Sequence, residues 1–125
     1  MIDIIDQMVE IAQSVEIFEN RVYRAYPAVY DNDGRPYAVL NPVGRNPILI
    51  DERGSEIATT LMYSVDIYAD SPVTIDEILR RLTDLYNRKG IQCTGYGPSY
   101  QSTNEMYCAT ANFSATVDVR GGTYR

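Results

Sequence analysis

The sequence predicts an α+β fold, a mixed, largely antiparallel sheet with two helices packed on one face. Three patterns predict it. Two runs alternate apolar and polar residues over long stretches, the period of a half-buried strand. Two other segments repeat apolar residues at spacings of three and four, the period of an amphipathic helix. Their order along the chain is helix, several strands, helix, two strands, which suits helices segregated to one side of a sheet rather than alternating βαβ units.

Ile4, Ile5, Met8, Ile11, Ala12 and Val15 recur at helical spacing, with Asp3, Asp6, Gln7, Glu10 and Gln13 between them, which predicts a half-buried first helix. The acids near its start suit the positive end of the helix dipole. From about Glu16 to Tyr30 the pattern turns β-like at Val22 and Tyr23, then loop-like through Tyr26 and Pro27. Asp31-Asn32-Asp33-Gly34 is a turn signal, because Asp and Asn bond their own backbone and Gly accepts positive φ. Pro36 to Leu40 and Pro47 to Ile50 read as two short strands, the first bounded by Asn41-Pro42 and the second by the charged tip Asp51-Glu52-Arg53-Gly54. Proline at or beside each strand start predicts edge positions, where a missing N–H costs no ladder bond.

The clearest early strand follows, with Ile57, Thr59, Leu61, Tyr63, Val65, Ile67 and Ala69 facing one way and a more polar set facing the other. Ser71-Pro72-Val73-Thr74 ends it, and Thr74 with Glu77 forms a capping box that opens the second helix. Ile75, Ile78, Leu79, Leu82, Leu85 and Tyr86 make that helix's apolar stripe; Arg88 and Lys89 suit its C-terminal end, and Gly90 the position just past it. Ile91 to Tyr96 is a strand, Gly97 to Asn104 a loop, and Glu105 to Arg120 a long alternating strand. At ~3.3 Å per residue that strand spans roughly 50 Å, longer than so small a domain requires. Part of it is expected to project or to pair with another subunit.

The chain has 125 residues, the size of one domain, so residues 1–125 are read as a single unit. An apolar fraction of 45% and a charged fraction of 22% argue for an ordinary folded core. Eleven basic against 17 acidic residues, a net charge of −6, disfavour a stable nucleic-acid binder, which needs clustered positive charge. No apolar run approaches the ~20 residues that span a bilayer. Asp3, Asp6 and Glu10 without a Lys or Arg are the reverse of a signal peptide's start, so the chain is expected to stay in the cytoplasm where it is made. Cys93 and Cys108, the two cysteines, are too few for a disulfide framework.

The chain has no histidine, which removes the commonest general base and metal ligand. The adjacent acids Asp51 with Glu52 and Asp76 with Glu77 are poor catalytic pairs; a solvated tip and a helix start are their ordinary uses. Cys93 and Cys108 fall opposite each other if the intervening loop closes a simple hairpin, and read first as small semi-buried sheet residues with no base to activate them, with a metal pair or redox switch as the alternative. Gly95-Tyr96-Gly97 precedes a loop rather than a helix, so it is no phosphate-binding fingerprint. An enzyme is therefore not expected. Eleven tyrosines beside two phenylalanines and no tryptophan suit surfaces buried on association, or simply strand propensity. Tyr96, Tyr100 and Tyr107 cluster around the late loop, and Arg35, Arg45 and Arg53 sit in or beside three successive loops, where they serve either partner carboxylates or simple solubility.

With this order of elements the sequence resembles the tail terminator, or tail completion, proteins of long-tailed bacteriophages, the group of the lambda tail terminator. Four stretches carry the likeness: the short amphipathic N-terminal helix, the strands around Pro36-Tyr-Ala-Val-Leu, the run Tyr63-Ser-Val-Asp-Ile-Tyr leading into the helix Thr74 to Lys89, and the closing strand Phe113-Ser-Ala-Thr-Val-Asp-Val-Arg-Gly-Gly. The resemblance implies a virion protein that forms a homo-oligomeric ring, usually hexameric. Such a ring docks on the last ring of the tail tube protein, ends tube growth and meets the head–tail connector or neck proteins. DNA passes through its lumen without specific binding, and an acidic subunit suits that passage. No catalytic residue, metal or cofactor is carried over. Asp51 to Ser55 and Gly97 to Asn104 become candidate contacts. The assembly-interface candidates are thus Arg35, Arg45, Asp51, Glu52, Arg53, Tyr96 and Tyr100. A head completion, neck or tail-tube subunit is the nearest alternative; a small-ligand module using Thr110, Asn112, Ser114 and Thr116 is the more remote one.

Overall fold

The computed structural model describes residues 4–18, 21–24, 36–50, 52, 56–101, 106–118 and 123–124. Helix α1 is Ile5–Gln13, a 3-10 turn follows at Glu16–Phe18, and β1 is Val22–Tyr23. Then come β2 (Tyr37–Ile50), β3 (Glu56–Ala69), α2 (Pro72–Arg88), β4 (Gln92–Tyr96), β5 (Tyr100–Gln101), β6 (Tyr107–Asp118) and β7 (Thr123–Tyr124). The seven strands form one sheet in the order β1-β2-β3-β6-β4, with β5 and β7 also on β6. Only β1 and β2 run parallel; every other pair is antiparallel. The α+β architecture is that predicted. No helix among the described residues is long and apolar enough to cross a membrane.

Both helices lie on one face. Their stripes, including Met8 and Ala12 of α1 and Ile75, Ile78 and Leu82 of α2, share one core with Ala38, Leu40, Tyr63, Val65, Ile67, Ala111 and Phe113 of the sheet. Each large apolar side chain so buried contributes roughly 1.5–3 kcal/mol. The Tyr86 ring meets Phe113 edge-on at 4.9 Å. Two tyrosines also hold α1 in place. The Tyr86 hydroxyl donates to the Met8 carbonyl at 2.8 Å, and the Tyr63 hydroxyl accepts the Ile4 N–H at 3.3 Å. The second bond matters because the N-terminus of α1 has no side-chain cap.

The cap of α2 lies three residues before the predicted one. Ser71 accepts the Thr74 N–H, Pro72 opens the helix, and Glu77 pairs with Arg81 instead of reaching back. Proline decides between the two sites: it forces the preceding Ser71 into extended backbone and needs no N–H partner in the first turn. The other end is as expected. Gly90 adopts φ 80°, with Gly90 N–H on Asn87 O and Ile91 N–H on Tyr86 O, the paired bonds of a Schellman stop.

The two short strands expected between Pro36 and Ile50 are one strand of 14 residues. Pro42 and Pro47 stand at register shifts against β3, and β1 covers only Ala38 and Val39. Beyond those residues the outer edge of β2 has no strand neighbour among the described residues, so prolines interrupt no ladder there. Arg45 consequently sits inside β2, opposite Leu61, and not in a loop. The described β6 has twelve residues, about 40 Å at ~3.3 Å each, and β3 pairs with it from Ala58 to Ala69. Its described length is thus matched within the chain rather than projecting from it.

Candidate functional site

The sheet face away from the helices is built from the alternate residues of β3 and β6. Across the two strands Tyr68 lies opposite Cys108, Asp66 opposite Thr110, Ser64 opposite Asn112, Met62 opposite Ser114 and Thr60 opposite Thr116. Strand β2 adds Asn41 and Asn46 beside Ser64 and Thr60. Strand pairing puts these side chains in flat rows, so short hydroxyls and amides tie to their neighbours instead of converging on a point. Thr110 donates to Asp66 at 2.6 Å, and the Thr60 and Thr116 hydroxyls meet at 3.0 Å. Among the residues just paired, Asp66 is the one charge.

One end of this face is apolar. Tyr37, Val39 and Met106 are buried together, with Tyr23 and Tyr68 packed against them. Tyr37 and Tyr68 stack at 4.6 Å, and Tyr23 meets Tyr37 edge-on at 6.2 Å. Cys108 is buried beside them, and that burial pushes its thiol up despite hydrogen bonds from Tyr68 and Tyr100 that pull it down. A thiol held in its protonated form is a weak nucleophile. The hydrogen bond with Cys108 in turn raises Tyr100.

Cys93 and Cys108 are not opposed. Cys93 pairs with Phe113 and turns toward the helices, whereas Cys108 pairs with Tyr68 and Tyr100 on the other face. A register shift between Cys93 and Gly95, and the strand β5 inside the expected loop, move the hairpin centre past the middle of the two cysteines. The same shift splits the expected tyrosine cluster. Tyr96 pairs with Ala111, Tyr100 with Cys108, and Tyr107 packs on the helix-side core.

Among the candidate contact residues, Tyr96 and Tyr100 are 68% and 58% exposed, and Glu52 is an exposed turn residue. Arg45 is half-buried in β2. Arg35, Asp51 and Arg53 lie outside the described residues, as does the turn at 31–34. Of the adjacent acids, Asp76 is exposed and Glu77 is spent on Arg81. Sequence reasoning missed a groove of about 710 Å³ between α2 and β4, lined by Asp76, Leu79, Arg80, Asp84, Asn87 and Tyr96. Its signal was present as a row of alternating charges on α2, but nothing local says that β4 ends beside that row.

No family model matches the chain, and no curated protein matches it either.

Proposed function

We propose that the protein is a virion assembly subunit of the tail terminator type, a ring-forming cap on a phage tail tube that meets the tube on one side and the neck on the other, and not an enzyme. The observation that supports this best is the open sheet face: three long strands present rows of Thr, Ser and Asn, nearly uncharged, with a tyrosine cluster at one end. Such a face suits broad contact with other protein chains, where polar groups supply register and aromatic residues supply the anchors. It also suits a lumen through which DNA slides, because the residues paired across it include no Lys or Arg to arrest a polyanion. A small-ligand site fits less well, since Thr110 and Thr116 are already engaged by Asp66 and Thr60 on a flat surface.

The test is to polymerise tail tube subunits with and without the purified chain and to image the tubes by negative stain. The expected result is tubes of restricted length that carry a ring at one end. Tubes that grow as long as those without the chain, with bare ends, would overturn the proposal.

A further inference from the structure

Asp76, Arg80, Asp84 and Arg88 recur every four residues on α2, one row of the helix surface with alternating sign. The simplest use of such a row is a ladder of ion pairs within the helix. Asp84 and Arg88 do pair at 2.7 Å. Arg80 and Asp76, both exposed, take part in no ion pair among the described residues. The ladder therefore leaves half of the row unexplained.

The row is its own complement when reversed. Turned end for end about Leu82, Asp76 falls opposite Arg88, and Arg80 falls opposite Asp84. Beside it runs the groove of about 710 Å³, with Leu79 in its lining and the exposed ring of Tyr96 at its side. The adjoining sheet edge, β4, has no outer strand neighbour among the described residues and carries no proline or charge. The opposite edge, β2, is guarded by Pro42, Pro47 and Arg45.

We infer that this surface joins two copies of the chain across a two-fold axis. Helix α2 packs antiparallel on α2, Arg80 of each copy faces Asp84 of the other, and Tyr96 of each copy enters the other's groove. A two-fold contact is isologous, whereas a closed ring repeats a heterologous one, so the inference does not rest on the ring reading. Charges that face each other across the axis set its register and weaken with salt.

Sedimentation equilibrium of the full chain at tens of micromolar tests it, with far-UV circular dichroism confirming that each variant is folded. The wild type is expected to dimerise. Arg80→Asp and Asp84→Arg are each expected to raise the dimer Kd about tenfold or more, because each sets like charges against each other. The double variant R80D/D84R exchanges the signs and restores opposite charges across the axis, so its Kd is expected to return to within about threefold of wild type. Tyr96→Ser leaves the charges alone and is expected to weaken the dimer about tenfold as an interface aromatic. A monomeric wild type, single variants that associate like wild type, a double variant no tighter than the singles, or larger oligomers indifferent to these changes would each overturn the inference.

Discussion

The two faces of the sheet are made from alternate residues of the same strands, yet they carry unrelated constraints. On the helix side Tyr63, Val65, Ile67, Ala111 and Phe113 are each 2% exposed or less, and every one touches a shared core. On the other side Asn112 is exposed, while Ser64, Ser114 and Thr116 are half-buried. The first face answers to packing, where a methylene gained or lost is felt. The second is free of that demand except at its tyrosine end, so its composition is available for contact with something outside the chain.

The largest difference should appear at Phe113. Phe113→Ala removes the ring on which Tyr86 rests and should lower unfolding free energy by about 3–5 kcal/mol in a urea titration. A loss below about 1 kcal/mol would mean that the helices do not depend on this contact.

A smaller effect is expected at Tyr86, where Tyr86→Phe keeps the ring and removes the hydroxyl that serves the Met8 carbonyl. The Met8 carbonyl keeps the Ala12 N–H of its own helix, so losing this second bond should cost about 0.5–1.5 kcal/mol. The hydroxyl also makes stability depend on pH. Burial raises the Tyr86 pKa well above its ordinary value of 10.0, so the folded state holds this proton more tightly than the unfolded chain does. Its contribution is complete below about pH 10 and falls as pH rises beyond that, with a slope of up to ~1.4 kcal/mol per pH unit. The wild type should show this extra alkaline loss relative to Y86F; parallel curves would refute it.

The smallest stability effect is expected on the open face. Asn112→Lys should change unfolding free energy by less than about 0.5 kcal/mol, as surface changes do, and, on the proposed function, should abolish capping of tail tubes by placing a cation among Thr, Ser and Asn. Unimpaired capping by a folded N112K would remove that row from the contact.

What the sequence showed was whatever has a local period. The stripe of α2, the alternation of β3 and β6 and the stop at Gly90 are each set by neighbours a few residues away, and each stands where predicted. Continuity and register were hidden because they are tertiary. Pro42 looks like a break until β3 is known to lie on one side only, and the shift after Cys93 turns Tyr96 to the helix-side face, opposite Ala111. The candidate contacts fared accordingly. Exposure of Tyr96 and Tyr100 was foreseeable from their place beside a loop, but their separation onto different faces was not.

Helix α1 has nine residues, shorter than the ~12–15 at which isolated helices become even marginally populated in water. Its persistence is therefore borrowed from the phenol hydroxyls of Tyr63 and Tyr86 and from the core beneath it. In the language of hydrogen exchange, its amides have no protection of their own and open whenever that anchorage lapses. The first element of the chain is then the natural place for a local opening that leaves the three long strands paired.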